Sequence, residues 1–242
     1  MAQQQNARYD MHISGVGKAA GGQYGNMQID GMGKVNGDID CLACEVNGTS
    51  HFYGAVIAES IRISGTGTVD GEAKAGSILV EGFSTFKKDV SCKSIAVNGR
   101  GVLEGNLTAE TVEIGGSAKI KGDLESETIR VQGGFSIGGF LNAGELDITL
   151  QHVSQAKDIG VEKITVKKGG RRRFFEQITP VLASRLEANV IEGDEIYLEY
   201  THANTVRGNR VTIGPGCRIK LVEYKEEFKQ DPSSQVKKAQ QV

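Results

Sequence analysis

Proline is scarce in this sequence, with 3 residues among 242, whereas glycine is abundant, with 33. Disordered and linker sequences are usually rich in both residues, so this pairing argues against a low-complexity linker. Glycine allows tight turns, and few prolines leave the backbone donors of a strand intact. The composition therefore predicts a chain of short strands separated by many turns.

Three further features are missing. No run of eighteen apolar residues occurs, and the first ten residues, MAQQQNARYD, contain no apolar segment typical of a signal peptide. The net charge of -2 gives no overall bias toward nucleic acid or an anionic membrane. The four cysteines lack the spacing of a secreted disulfide framework, which favours a reducing compartment. We therefore expect a cytoplasmic protein that reaches a membrane, if at all, at the periphery of its inner face.

An internal repeat of about 17 residues runs through the chain. Residues 95–145, written in lines of seventeen, read IAVNGRGVLEGNLTAET, VEIGGSAKIKGDLESET and IRVQGGFSIGGFLNAGE. Apolar residues recur at line positions 1, 3, 9 and 13, and small ones recur at position 15. Glycine fills position 5 in seven consecutive lines: Gly31, Gly48, Gly65, Gly82, Gly99, Gly116 and Gly133. A short fixed period of this kind is typical of a solenoid.

The repeat predicts an all-β fold, a right-handed parallel β-helix with a triangular cross-section and about 17 residues per coil. Each line holds three short alternating segments, separated by glycine turns at positions 5 and 11 and by a corner at positions 16 and 17. Positions 1, 3, 9, 13 and 15 should face the core. A left-handed hexapeptide coil has eighteen residues per turn and even apolar spacing, so the uneven spacing here favours the right-handed form.

The repeat also divides the chain. Between residues 167 and 189 the sequence KKGGRRRFFEQITPVLASRLEAN has no period, and Val181 to Glu187 could form a helical turn. We expect a disordered tail at 1–10, a β-helix at 11–166, a non-repeating basic excursion at 167–189, further coils at 190–224 and a disordered tail at 225–242.

The V-x-G-x-G-x-x-x-G-x-L-x-A series, seen as VNGRGVLEGNLTA at Val97 to Ala109, resembles the bactofilin family. The resemblance covers roughly residues 11–150, and Ile191 to Tyr224 is similar to the closing part of longer relatives from Gram-positive bacteria. The resemblance implies a nucleotide-independent cytoskeletal polymer with a scaffold role in cell shape, envelope organisation or motility. It implies self-association, with a paralogue or an envelope or motility protein as a further partner, and neither enzymatic activity nor a cofactor.

Self-assembly is also expected from the fold itself. Each end of a β-helix exposes an unpaired strand, which can template the strand of another chain. Terminal repeats usually carry a cap, and no capping helix is evident before Met11 or after Tyr224. We therefore predict that filaments form by end-to-end stacking, unless polar tails cover the ends. The predicted contacts are Ile13 and Ile29 at one end and Ile213 and Ile219 at the other.

A basic segment offers a second hypothesis. Its charges stand beside two phenylalanines and could contact anionic lipid or nucleic acid, or form a solvated loop. The residues of this predicted anionic-partner contact are Lys167, Lys168, Arg171, Arg172 and Arg173.

Catalytic and metal-binding alternatives find little support. Cys41-x-x-Cys44 lacks a second ligand pair for zinc, and both thiols fall in predicted core columns. His51 is the one histidine well inside regular coils and the candidate base of an acyltransferase. Acidic side chains at positions 12 and 4 could instead mark a carbohydrate-active enzyme, but a solvated face explains them more simply: Asp38, Glu72, Asp89, Asp123, Asp30 and Glu81. The glycine doublets precede no helix, which argues against a dinucleotide site.

Overall fold

In the computed structural model, which describes residues 8–169 and 184–242, every helix or strand assigned is a β-strand. The chain divides into two compact units, residues 1–105 and 106–242. Ten strands form the first unit: β1 Tyr9–Ile13, β2 Val16–Ile29, β3 Met32–Val46, β4 Thr49–Phe52, β5 Val56–Ile63, β6 Thr66–Val69, β7 Ala73–Val80, β8 Phe83–Phe86, β9 Val90–Val97 and β10 Arg100–Leu103.

Nine described strands belong to the second unit. They are β11 Leu107–Ile114, β12 Ser117–Ile120, β13 Leu124–Val131, β14 Gly134–Leu150, β15 Ser154–Lys168, β16 Leu186–Leu198, β17 Thr201–Ile213, β18 Arg218–Gln230 and β19 Gln235–Gln241. Neighbouring coils pair in parallel in both units, as where Val56 lies beside Ala73 and Leu107 beside Leu124. The predicted all-β solenoid with coils of about 17 residues is confirmed. Its right-handed sense rests on the usual preference of parallel crossovers.

The predicted core columns are buried. Position 3 holds Ile29, Val46, Ile63, Val80, Val97, Ile114, Val131 and Ile148, each at most 2% exposed. Position 9 holds Val35, Phe52, Val69, Phe86, Leu103, Ile120 and Ile137, each at most 3% exposed. Position 15 is small as expected, although Ala75 and Cys92 are half-buried rather than buried. Alternating apolar residues therefore set which face of each strand turns inward.

Position 7 is an additional inward column that the sequence pattern did not reveal. It holds small residues up to Ala118 and then Phe135; Ser50 and Ser84 are 2% and 0% exposed. Glycine alternates with serine here, and Ser50 Oγ would lie 3.4 Å from a Cβ added to Gly67. Glycine and serine give no apolar period, so the sequence pattern does not indicate that this column faces inward.

Corner positions 16 and 17 do not interrupt the hydrogen-bonded ladder, although a strand break was predicted there. Strand β5 runs through them without a gap, from position 13 to position 3 of the next line. Along β5 the inward side chains are Val56, Ala58, Ile61 and Ile63, so two outward residues stand together at the corner. At this corner the alternation of inward and outward side chains is interrupted by two successive outward residues, and the backbone pairing continues through the turn.

Column 5 is glycine because adjacent coils approach closely there. A Cβ on Gly48 would overlap the carbonyl oxygen of Gly31, and one on Gly65 would overlap that of Gly48. Neither has a positive φ, which among the described glycines occurs at Gly22, Gly37 and Gly216. The glycines of this column were expected to allow tight turns, and the structure shows that close contact between coils is what requires them.

The expected disordered tail at 225–242 is wrong. Strand β18 continues to Gln230, and β19 pairs with β18 in parallel, placing Val236 beside Ile219. Pro232 lies in the turn between them, where Asp231 accepts hydrogen bonds from the amide and hydroxyl of Ser233. Charged side chains outnumber apolar ones in this segment, and they concealed the remaining inward positions.

Other predicted boundaries shift by a few residues. Strand β1 begins at Tyr9, inside the expected tail, and residues 1–7 lie outside the described chain. The solenoid extends to Lys168 and resumes at Leu186, so the break is narrower than 167–189. Leu186 and Glu187 are in a strand, not in the expected helical turn, and 181–183 are outside the described residues.

Candidate assembly surfaces

The N-terminal end of the solenoid exposes apolar side chains. In β1, Met11 is half-buried and Ile13 is 7% exposed, while the next coil covers Ile29 completely. Tyr9 and Val16 are 78% and 87% exposed. Of the two residues predicted at this end, Ile13 is in the outermost coil and Ile29 is one coil inside it.

Gly15 is the column-5 glycine of this outermost coil. A Cβ on Gly15 would meet no described atom within 4 Å, whereas one on Gly31, in the next coil, would overlap the carbonyl oxygen of Gly15. The Cβ direction in this column therefore points back toward the preceding coil. At Gly15 no described residue fills that place, so this end of the described chain offers room for one more coil.

The C-terminal end lies farther along the chain than predicted. Ile213 is fully buried beside Gln230, and Ile219 is 2% exposed beside Val236. Half-buried Phe228 and Val236 and exposed Ala239 take the inward positions of the last coil. The predicted end residues therefore lie one coil inside the surface, because the last coil had been assigned to a disordered tail.

The two ends differ in their edge strands. Strand β19 has the sequence QVKKAQQ, and Lys237 and Lys238 are exposed on it. Lysine on an edge strand discourages pairing with another chain. The N-terminal strand β1, YDMHI, carries no lysine. The N-terminal end is thus the less protected edge.

The predicted basic contact is only partly described. Lys167 is exposed at the end of β15, whereas Lys168 is engaged: its Nζ lies 4.5 Å from the centre of the Tyr200 ring, and its amide donates to Glu199. Arg171, Arg172 and Arg173 lie outside the described residues. The described start of this segment, at Lys168, contacts Tyr200 and Glu199. A binding site that includes the predicted arginines stays a prediction.

The thiols of the Cys41-x-x-Cys44 motif are core side chains. Each residue is 2% exposed, as the register predicted. The hydrogen bond with Cys41 and burial together raise the pKa of Cys44 well above its usual value. Such a thiol stays protonated at neutral pH and packs as a small apolar group.

His51 is held by its neighbours on the outer surface. Its Nε2 lies 2.8 Å from Asp70 Oδ2, and its ring stacks on Tyr53 with centroids 4.0 Å apart. Lys87 Nζ lies 2.8 Å from the other Asp70 oxygen. The hydrogen bond from Lys87 is the main cause that lowers the pKa of Asp70, and the one from His51 adds to it. Asp70 thus bridges His51 and Lys87, and the three side chains join positions 8 and 10 across neighbouring coils.

The acidic columns serve the backbone and nearby side chains. At position 12, Asp38 Oδ1 accepts the amide of Ala55 and Asp123 Oδ1 accepts that of Phe140, both at 2.7 Å. Each carboxylate thereby caps the turn of the following coil. At position 4, Arg62 and Ser64 both donate to Glu81. Asp38, Asp123 and Glu81 are therefore occupied by contacts within the solenoid.

Within residues 8–169 and 184–242, no three histidine, cysteine, aspartate or glutamate side chains are grouped so that they could hold a metal ion. The same residues contain no helix with the length and apolar character needed to cross a membrane.

The described chain is thus a parallel β-solenoid, a repeat protein whose end strands can pair with those of another copy. Residues 73–142 match the family model for bactofilin, described as polymer-forming cytoskeletal. Two proteins of Bacillus subtilis (strain 168) are similar along nearly the whole chain. Uncharacterized protein YhbF is 55% identical over 229 residues, covering 94% of this chain and 95% of its own. Uncharacterized protein YhbE is 59% identical over 227 residues, covering 93% and 94%.

The chain belongs to the bactofilin family, and the resemblance found in the repeat is confirmed. No solved structure matches it. The family is one of structural cytoskeletal proteins rather than enzymes, so the coarse function of this chain is that of a polymer-forming scaffold.

Proposed function

We propose that this chain is the subunit of a filament that assembles without nucleotide by end-to-end stacking of solenoids. The observation that carries the proposal is the open N-terminal edge, where β1 pairs with β2 on one side and with no described strand on the other. Strand β1 therefore presents unpaired backbone donors and acceptors, which is the arrangement that recruits another strand.

The outermost side chains support the same joint. Met11 and Ile13 would continue the columns of Met27 and Ile29 into a second copy, and burying them would add a hydrophobic contribution. A paralogue with the same repeat could continue these columns equally well, so we also expect copolymerisation. The resulting filament would serve as a scaffold for cell shape, envelope organisation or motility.

We place the filament in the cytoplasm, with any membrane contact peripheral and at the inner face. The four cysteines, Cys41, Cys44, Cys92 and Cys217, are all free, which fits a reducing compartment.

Gly15→Ala tests the joint with little disturbance of the subunit. The added methyl group meets no described atom of its own chain but occupies the place where a preceding coil would approach. We expect unchanged thermal unfolding and filaments that are shorter or absent in electron micrographs of nucleotide-free protein. Ser14→Ala, one residue away and without added bulk, is the control. Wild-type protein that stays dispersed across salt and concentration would refute filament formation, and normal Gly15→Ala filaments would exclude this edge as the joint.

A further inference from the structure

A groove lies along the outer surface of the C-terminal coils in the second unit. Its volume is about 410 Å³, and its floor includes Ala188, Ala203 and Ile219. Strand pairing extends the numbering of the repeat to these coils. His202, Arg218 and Gln235 pair with one another in series, and they form one wall of the groove at position 8. The opposite wall, at position 10, consists of Asn204, Lys220 and Lys237.

The groove is positively charged. Arg218, Lys220 and Lys237 are exposed, and none of them has a carboxylate partner among the described residues. The acidic residue of the lining, Glu187, already pairs with Arg185. At the same two positions of the first unit, Asp70 bridges His51 and Lys87, so charge there is balanced within the chain.

A complementary acidic ridge lies on β11 and β13 of the same unit. Glu110, Glu125 and Glu127 are exposed there, and within the described chain none of them has an ion-pair partner. Glu110 and Glu127 occupy equivalent places in adjacent coils, because their neighbours Ala109 and Thr111 pair with Ser126 and Thr128. Glu125 and Glu127 are two residues apart on one strand.

The two sets of charges have the same layout. Lys220 and Lys237 occupy adjacent coils at position 10, about 4.8 Å apart along the axis, as Glu127 and Glu110 do at position 16. Arg218 and Lys220 are two residues apart on one strand, about 7 Å, as Glu125 and Glu127 are. In each set, the three charged residues therefore form a right angle, with one side along the solenoid axis and the other along the strand, and the two sides have similar lengths in both sets.

We propose that filaments associate side by side, with the acidic ridge of one copy seated in the basic groove of another. The contacts are Glu127 with Lys220, Glu125 with Arg218 and Glu110 with Lys237. All three form when the second solenoid is turned about the strand direction, so that its axis runs opposite to that of the first. The ridge and groove are different surfaces, so the contact is heterologous and can extend into sheets or bundles.

This proposal rests on the proposed end-to-end filament. Exposed ion pairs are individually weak, so isolated subunits should not form stable lateral dimers. A filament repeats the same contact at every subunit, and the summed contacts then hold two filaments together. A second copy is the favoured occupant because one chain carries both surfaces with matching number, sign and spacing of charge.

Charge exchange tests the pairing. K220E/K237E and E110K/E127K each make the ridge and groove alike in sign, whereas mixing the two variants restores opposite charges. At about 50 mM NaCl we expect the sedimented bundle fraction of each variant to fall about fivefold, with single filaments retained, and the mixture to recover it. K34E/K119E, which reverses two exposed lysines elsewhere, should bundle like the wild type.

Other outcomes separate this inference from the filament itself. Bundles that survive both reversals, or a mixture that fails to recover, would overturn the lateral contact while leaving the filament intact. The lateral contact would also be overturned if K220E/K237E forms normal bundles but no longer binds phosphatidylglycerol vesicles or polyglutamate. That result would make the groove a site for another anionic partner. If no filaments form, static light scattering of concentrated subunits decides: attraction at low salt that is weakened by each reversal supports the contact, and equal scattering refutes it.

Discussion

The glycine-rich coils of the first unit and the C-terminal coils of the second stack their strands by different means. Between β3 and β10 a coil has one strand of eight residues or more and one of four, and glycine fills position 5. In the C-terminal coils β16, β17 and β18 each run for 13 residues. The turn equivalent to column 5 there holds Lys168, Tyr200 and Pro215, and Tyr200 has a φ of 45°.

The comparison teaches that a solenoid can be held together in two ways. In the first unit, backbone approaches backbone at a glycine, and little side-chain pairing is needed at that corner. In the C-terminal coils, charges alternate from coil to coil: Arg207 lies between Glu192 and Glu223, and Arg210 between Glu195 and Glu226. Close packing dominates in one region and side-chain pairing in the other.

Gly65→Ala should have the largest effect on stability. Its Cβ would overlap the carbonyl oxygen of Gly48, so the two coils must separate. We expect the free energy of unfolding to fall by about 3 kcal/mol, measured by urea unfolding followed by circular dichroism. Pro215→Ala, at the equivalent turn of the C-terminal coils, should cost at most about 1 kcal/mol. Equal losses in the two variants would remove the distinction between the regions.

Much of the fold could be predicted because the inward residues recur at fixed positions. Isoleucine and valine at positions 1 and 3 defined the strands, and glycine at position 5 defined the coil length. The inward column at Ser50 and Ser84 stayed hidden because small side chains give no apolar period. The last coil was missed because lysine, glutamate and glutamine surround its few inward residues, such as Phe228 and Val236.

The candidate surfaces were harder to predict than the fold. Ile13 was recognised as an end residue because the repeat clearly begins beside it. Ile213 was assigned to an end only because the coil that covers it was not recognised. The groove depends on which charged side chains remain unpaired. Its walls form where the offset between paired residues changes from the regular 17 to 15, then to 16 and 17 in the last coils. That change is set by the turns and is invisible in a search for one period.

Cys217→Ala should have the next largest effect, and it tests side-chain pairing inside the C-terminal coils. Cys217 Sγ accepts the buried amide of Thr201 at 3.5 Å and donates to the carbonyl of Leu198 at 3.2 Å. Burial raises the pKa of this thiol to about 11, so it keeps the proton that it donates. We expect a loss of about 1–2 kcal/mol in urea unfolding, because the amide loses its partner. Cys217→Ser should retain most of the stability, and equal losses would show that the sulfur's volume matters instead.

Replacing both arginines of the charge ladder should have a smaller effect that depends on salt. Arg207→Gln with Arg210→Gln removes the cations of β17 and leaves glutamates facing one another from the coils on either side of it. Hydrogen bonds and charge from these arginines lower the pKa values of Glu223 and Glu195. We expect a lower urea midpoint at low ionic strength and a difference that shrinks at about 1 M NaCl, where the Debye length is about 3 Å. A difference that is independent of salt would mean that the arginine stems stabilise these coils by packing.

The smallest expected effect is at Asp30 in the first unit, where side-chain pairing supplements the glycine contacts. Hydrogen bonds from Asn47, then His12 and Gln28, lower the pKa of Asp30 from 3.8 to about 2. A lowered pKa means that the folded chain prefers the ionised carboxylate, so its stabilisation is complete above about pH 4 and is lost as the pH falls toward 2. Asp30→Asn should flatten the dependence of the urea midpoint on pH within this window, because it lowers the midpoint slightly above about pH 4 and leaves it nearly unchanged near pH 2. If the variant keeps the wild-type slope, the acid sensitivity arises elsewhere, and the side chains at position 4 contribute less to the first unit than its glycine contacts do.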